Sequence, residues 1–217
     1  MTDLRIAHLS VRQTKKGRFA LFSEDGFLFS LDSETFFAEH IEEGSAFSDA
    51  ELALLRAKSE TRKACDKALQ YLSLRAYAAG ELYQKLCLKF DERSAAAAVA
   101  KVENLGMLDD AAFARQRAEY LAKRNKSPME IRRHLAARGV GREEIELALA
   151  PWRETDGEGV PPAQQAILRL LEKSYGAKLA AGKRDNVCAA LARRGFSHGD
   201  IRAALALYEQ NDQEDTL

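Results

Sequence analysis

Apolar positions recur every three or four residues through most of the chain, and this spacing is typical of amphipathic helices. Three groups of three helices are predicted, near 49–75, 79–89 and 92–105, near 109–124, 128–138 and 142–152, and near 161–175, 183–194 and 198–209. No helix this short buries its apolar face alone, so each group should fold as a three-helix unit that leans on its neighbour.

The apolar and charged positions of the first group return in the second without a change of register. Six residues recur, as the pairs Tyr71/Tyr120, Leu72/Leu121, Arg75/Arg124, Glu81/Glu130, Leu82/Ile131 and Leu86/Leu135. The second group is repeated in the third, as Ile131/Val187, Leu135/Leu191, Arg138/Arg194, Gly139/Gly195, Ile145/Ile201 and Leu149/Leu205. Tandem recurrence predicts a helical-repeat protein whose units stack in a row.

The first residues have a different pattern. Residues 4–11 alternate loosely, and two aromatic-rich runs, 18–22 and 27–31, flank an Asp25-Gly26 turn, which predicts a β-hairpin in a small antiparallel sheet. A short helix over 33–41, with Ser33 as its N-cap, should follow. So small a sheet needs a partner, and we expect it to pack on the first helical unit.

Helix ends carry recognisable chemistry. Ser48 and Glu51 form a predicted capping box, Asp109 is a predicted N-cap, and Ser127 precedes a proline at the first helical position. Gly139 and Gly195 stand where a left-handed residue ends a helix. The resulting domain prediction is a β-rich segment 1–47, repeats 48–106, 107–153 and 163–210, a linker 154–162, and an acidic disordered tail 211–217.

Two stretches of the chain resemble the RecX family of bacterial modulators of the RecA recombinase. The matching residues are Tyr71-Leu72-x-x-Arg75, Glu81-Leu82-x-x-x-Leu86, Leu105-Gly106-Met107-Leu108-Asp109-Asp110-x-x-Phe113-Ala114 and Glu130-Ile131-x-x-x-Leu135-x-x-x-Gly139. The first repeat departs from the family twice: Ala78 replaces a frequent serine N-cap, and Lys89-Phe90 replaces an Arg-Gly pair.

The resemblance implies a mainly α fold of three tandem three-helix repeats in an elongated crescent. It also implies a non-enzymatic regulator that binds RecA and its filaments on single-stranded DNA and mostly inhibits them, in DNA repair and the SOS response. A general DNA-binding helical-repeat protein without a RecA partner is the alternative.

Charge is segregated although the formal net charge is +0. Between residues 115 and 142 only Glu119 and Glu130 oppose nine basic residues, which indicates a positive surface for RecA or DNA phosphates. The predicted surface comprises Arg115, Arg117, Lys123, Lys126, Arg132, Arg133, Arg138, Arg142, Lys183, Arg184, Arg193 and Arg194. A solvated helix face remains an alternative, and His134 either joins this surface or is satisfied locally.

Phe113, Arg117, Tyr120 and Arg124 fall on one helical stripe. The rings either stack on bases or belong to the core with the arginines along its rim, and Arg124 is the more structural because Arg75 holds its place in the first repeat.

Residue patterns for other chemistry are missing from the sequence. It has no phosphate-binding glycine loop, nucleophile elbow or HxxxH spacing, and the pairs Asp109-Asp110 and Glu143-Glu144 open helices, so no enzyme, cofactor or metal is expected. Three cysteines without CxxC spacing indicate buried thiols in a reducing cytosol. We expect a cytoplasmic monomer without a membrane span.

Overall fold

The structure, a computed structural model, describes residues 6–15, 17–152 and 159–214. It is mostly helical with small antiparallel sheets near the N-terminus, which confirms the predicted fold class. The strands are β1 (Ile6–His8), β2 (Ser10–Gln13), β3 (Phe19–Ser23), β4 (Gly26–Leu31) and β5 (Ala46–Ser48). The helices are α1 (Ser33–Ala38), α2 (Asp49–Leu72), α3 (Ala79–Cys87), α4 (Glu92–Asn104), α5 (Asp110–Ala122), α6 (Pro128–Ala136), α7 (Arg142–Leu149), α8 (Pro162–Leu170), α9 (Gly176–Ala180), α10 (Arg184–Arg193) and α11 (His198–Glu214).

The described residues fall into two compact units. One comprises the ranges 1–76 and 82–108, and the other comprises 77–81 and 109–217. The N-terminal strands and most of the first repeat thus belong to one unit, and the second and third repeats belong to the other, together with the start of α3.

The predicted hairpin is present. β3 and β4 pair antiparallel, with Ser23 opposite Gly26, and β2 pairs with the other edge of β3. Gly26 has a φ of +116°, which its lack of a Cβ permits. β5, which pairs with β1, was not predicted because its partner lies far away along the chain.

The strands pack on α2, as predicted. Leu9, Leu21 and Leu31 form one buried cluster with Leu52 and Leu55 of that helix. The prediction for the start of α1 is wrong by one residue. Its N-cap is Asp32, whose Oδ1 accepts a hydrogen bond from the Thr35 N–H at 2.9 Å, and Ser33 is already helical.

Recurring apolar positions of the three repeats are buried to the same degree. The three equivalent residues Leu82, Ile131 and Val187 are each 0% exposed, and Leu86, Leu135 and Leu191 are also 0% exposed. The repeat read from the sequence is therefore a repeat of core positions. In the second compact unit, Trp152 is buried in one cluster with Leu149 and Ala163, so it packs between the second and third repeats.

Several element ends differ from the predictions. α7 ends at Leu149 and a 3-10 turn continues it to Trp152, while a π-helical turn, Leu171–Tyr175, separates α8 from α9. Most of the predicted linker, 154–158, lies outside the described residues, and α8 begins at Pro162, inside the predicted linker.

The prediction of a disordered tail from 211 is wrong for its first residues. α11 continues to Glu214, because no glycine or proline interrupts the chain after Gly199; residues 215–217 lie outside the described part.

Candidate partner-binding surface

All twelve predicted surface residues lie in the second compact unit, on or beside α5, α6, α7 and α10. The sequence alone indicated a surface with few acids to neutralise it. The structure divides the twelve side chains into those with partners inside the protein and those without. That division decides which of them are available to another molecule.

Arg132 has a partner from the next helix. Its Nε and Nη2 donate to the two carboxylate oxygens of Glu146 at 2.9 and 3.3 Å. The neighbouring Arg133 is exposed. Arg132 and Arg142 also line an open pocket of about 690 Å³ with Val140.

The aromatic stripe of α5 is divided between core and surface. Phe113 is half-buried against the core, whereas Tyr120 is 43% exposed. The guanidinium groups of Arg117 and Arg124 lie over the Tyr120 ring, with 5.0 and 4.5 Å between each carbon Cζ and the ring centroid. Cation–π contacts therefore orient both arginines.

His134 is satisfied locally and does not add charge to the surface. Its Nε2 accepts a hydrogen bond from Arg117 Nε at 2.9 Å, an arrangement that requires a neutral imidazole. Burial lowers the pKa of His134, and the charges of Arg138, Arg117 and Lys126 lower it further against an opposing effect of Glu81. The ring therefore lies in a positive electrostatic environment.

Arg138 connects the second repeat to the start of α3. Its Nε lies 3.6 Å from Glu81 Oε1, and its Nη1 donates to the His134 carbonyl at 3.0 Å. The following residue, Gly139, has a φ of +74° and lies against Gly80 so closely that a Cβ on Gly80 would stand 2.6 Å from Gly139 Cα. Only glycines permit this approach of two backbones.

The third repeat contacts the start of α6 in the same way. Ser127 Oγ donates to the Arg194 carbonyl at 2.5 Å, and Gly195, at φ +94°, lies against Met129. The pKa of Glu130 lies below its usual value: burial raises it, but hydrogen bonds from Lys126 and the Ser127 N–H and the charge of Arg194 outweigh burial. Arg194 thus corresponds to Arg138, and Glu130 to Glu81.

These two sets of contacts are called the Arg-Gly junctions, formed by Arg138-Gly139 on the start of α3 and by Arg194-Gly195 on the start of α6. They place Arg138 and Arg194 in repeat-to-repeat packing. They also account for Lys89-Phe90 in the first repeat, since no earlier repeat precedes it for an Arg-Gly pair to pack on.

Ala78 leaves α3 without a side-chain cap of its own, and Asp110 Oδ1 accepts the Ala79 N–H instead, at 2.8 Å.

Two more of the predicted cations have partners. Lys126 Nζ lies 2.8 Å from Glu130 Oε1, and Arg184 pairs with Glu209 of α11. Within residues 6–15, 17–152 and 159–214, the remaining exposed members of the predicted set have no carboxylate within 4.0 Å; they are Arg115, Lys123, Arg133, Arg142, Lys183 and Arg193. Sequence reasoning missed the partners because Glu146 and Glu81 lie outside the stretch that was counted.

No helix in the described part of the chain has the length and apolar character that crossing a membrane requires. Of the three thiols, Cys65 is buried as predicted, whereas Cys87 and Cys188 are half-buried.

Comparisons with known proteins agree with the repeat architecture. The sequence profile described as "RecX, second three-helix domain" matches residues 109–149, which span α5 to α7. Regulatory protein RecX of Bacillus subtilis (strain 168) is 27% identical over 214 residues, covering 97% of this chain and 80% of the relative. Regulatory protein RecX of Lactobacillus delbrueckii subsp. bulgaricus is 31% identical over 150 residues, covering 68% of this chain and 55% of the relative.

Two solved structures share the fold. A crystal structure of regulatory protein RecX has a TM-score of 0.71 at 19% identity, over 92% of this chain and 99% of the other. The crystal structure of RecX from Lactobacillus salivarius has a TM-score of 0.60 at 20% identity, over 70% and 97%. Together with the matching profile and the similar sequences, these results show that the chain belongs to the RecX family.

Proposed function

We propose that this protein binds the RecA recombinase and the filament that RecA forms on single-stranded DNA, and that it mostly inhibits the recombinase. Its relatives are named regulatory proteins, and neither the sequence motifs nor the relatives' names point to a catalytic reaction. Its role is therefore to change the activity of a partner by binding it.

One observation carries the proposal: six basic side chains of the second and third repeats are exposed and lack carboxylate partners within the described residues. Arg115, Lys123, Arg133 and Arg142 belong to the second repeat, and Lys183 and Arg193 belong to the third. Exposed charges of a purely structural helix face usually stand beside opposite charges. Unpaired cations on successive repeats suit a target with regularly spaced negative charge.

A filament is such a target. A protein with several separated contacts gains affinity on a polymer, because its second contact forms within a complex that already exists. A free RecA molecule or a short oligonucleotide would engage fewer of these contacts. We therefore expect tighter binding to the filament than to either component alone.

The test is RecA ATP hydrolysis on single-stranded DNA with this protein added below one molecule per RecA. Suppression at such amounts supports action on the filament. Suppression only at amounts that coat the DNA contradicts the proposal and favours the alternative, a general DNA-binding protein that competes for the strand.

Charge-removing variants locate the contact surface. Arg133→Gln combined with Arg142→Gln removes two unpaired cations of the second repeat, and we expect suppression to weaken. Arg56→Gln combined with Arg93→Gln is the matched control, since both arginines are exposed, lack carboxylate partners among the described residues and belong to the first repeat. Equal effects of the two double variants would show that net charge alone matters, and would overturn the assignment of the surface.

A further inference from the structure

Three of the seven residues that line a small pocket in the second repeat are basic. Its volume is about 350 Å³, and it lies along α6 beside the loop that joins α5 to α6. The polar lining comes from Lys126, Glu130, Arg133, His134 and Arg138, above an apolar floor that includes Leu121. A volume of this size accommodates a phosphate group with part of its sugar.

Two of the lining cations are held in place by the fold. Lys126 is positioned by Glu130 at 2.8 Å, and Arg138 is positioned by Glu81 of the Arg-Gly junction and by the His134 carbonyl. Arg133 is exposed and has no carboxylate within 4.0 Å among the described residues. The pocket therefore combines two oriented cations with one that is available to a ligand.

The charges that face His134 come from every neighbouring element. Arg117 lies on α5, Lys126 on the loop before α6, Glu130 and Arg138 on or just after α6, and Glu81 on α3. The cations outnumber the carboxylates, and the pKa of His134 lies below its ordinary value because of burial and of these positive charges. An anion in the pocket would oppose that effect, so the imidazole can report on occupancy.

We infer that this pocket binds one backbone phosphate of single-stranded DNA, with Arg133 as the contacting side chain and Lys126 and Arg138 at its sides. The inference rests on the proposed function, since it names the ligand chemistry of part of that surface. A phosphodiester fits because its two free oxygens accept hydrogen bonds from several donors at once, as guanidinium and ammonium groups provide. Arg117 lies over the exposed ring of Tyr120 and also donates a hydrogen bond to His134.

The first measurement is the pKa of His134. It is determined by NMR titration of the full chain, with and without a short oligothymidylate. The pKa of His134 should rise when the oligonucleotide binds, whereas the ring signals of His8, His40 and His198, which do not line the pocket, should change less. Equal movement of all four would indicate a general ionic effect and would overturn the inference. Inorganic phosphate is the second arm; a response to phosphate but not to oligothymidylate would also overturn it, because the site would then take only the free anion.

The second measurement is the salt dependence of oligothymidylate affinity. Losing one phosphate contact in Arg133→Gln should reduce the slope of log K against log salt by about 0.7, the value per contact for single strands. Arg56→Gln, which removes another exposed cation, from α2, should leave the slope unchanged. An unchanged slope in Arg133→Gln would show that Arg133 contacts no phosphate.

The experiments distinguish a failure of the proposed RecA regulation from a failure of the proposed phosphate site. If the protein suppresses RecA ATP hydrolysis at substoichiometric amounts while His134 does not respond to oligothymidylate, the regulatory function stands and the phosphate site is wrong. If His134 responds but RecA ATP hydrolysis is unaffected, the pocket binds DNA and the RecA proposal is wrong.

Discussion

Arg138 Nε lies 3.6 Å from Glu81 Oε1, and the two side chains are 26% and 19% exposed. The pair joins the segment after α6 to the first turn of α3. The coupling energy between the two charges should exceed that of an exposed ion pair, because both groups are largely shielded from water. It should remain below the coupling energy of a fully buried pair. Arg138 therefore has a structural role that the sequence alone did not separate from a binding role.

The first prediction concerns this pair. A double-mutant cycle with Arg138→Gln and Glu81→Gln should give a coupling energy of about 1 kcal/mol. Urea unfolding followed by the fluorescence of Trp152 suits the measurement, since it is the only tryptophan and lies in the core of the second unit. A coupling energy indistinguishable from zero would show that the two charges do not stabilise the junction.

The second prediction concerns the glycine of the same junction. Gly139→Ala should destabilise the protein by clearly more than about 1 kcal/mol, because the new Cβ would stand 2.7 Å from Gly80 Cα in addition to the left-handed strain. Gly182→Ala is the control: its φ is +72° and its Cβ would meet nothing within 4 Å, so only the strain of about 1 kcal/mol applies. Equal losses of unfolding free energy would contradict the close approach.

The third prediction compares two capping boxes. Ser48 and Ser127 each accept the backbone N–H of a glutamate three residues later, but only Ser127 also donates to a neighbouring repeat, through the Arg194 carbonyl. Ser48→Ala should cost about 1 kcal/mol for the lost cap, and Ser127→Ala should cost more because the partly buried Arg194 carbonyl also loses its donor. Urea midpoints would reveal the difference, and similar losses would argue against the second bond.

The fourth prediction concerns pH. The folded state lowers the pKa of His134 below 6.5, so the unfolded chain binds more protons between the two pKa values. The stability contributed by neutral His134 is complete above about pH 6.5 and is lost as pH falls through the lower, folded pKa, where protonation also breaks the bond from Arg117. In His134→Gln, the unfolding free energy should fall less between pH 7 and 5 than in the unaltered protein; parallel curves would exclude this role.

Local patterns predicted the fold well wherever the cause was local. The hairpin between residues 18 and 31, the Ser48 and Ser127 capping boxes and the left-handed Gly139 and Gly195 all depend on neighbouring residues, and all are present. The turn of the hairpin is Glu24-Asp25, one residue earlier than the predicted Asp25-Gly26, because Gly26 already pairs with Ser23. β5 was missed because its three residues pair with β1, far away along the chain.

The candidate surface was predicted less well for the same reason. Counting charges between 115 and 142 excluded Glu146 and Glu81, which pair with Arg132 and Arg138 across helices. One signal did point to the junctions: Arg-Gly follows the second helix of the second and third repeats but not of the first. A pair that appears only where an earlier repeat exists is better explained by packing than by ligand binding.

The Arg-Gly junctions give the row of repeats a polarity. Each junction places an Arg-Gly pair of one repeat near a glutamate at the start of the second helix of the repeat before it: Arg138 pairs with Glu81, and the charge of Arg194 acts on Glu130. The first repeat has Glu81 but no Arg-Gly pair, and the third has Arg194-Gly195 but carries Asn186 where the others have glutamate. The three units are therefore not interchangeable. If the first repeat were moved behind the third, neither the Arg-Gly pair nor the glutamate would be present where those two repeats meet.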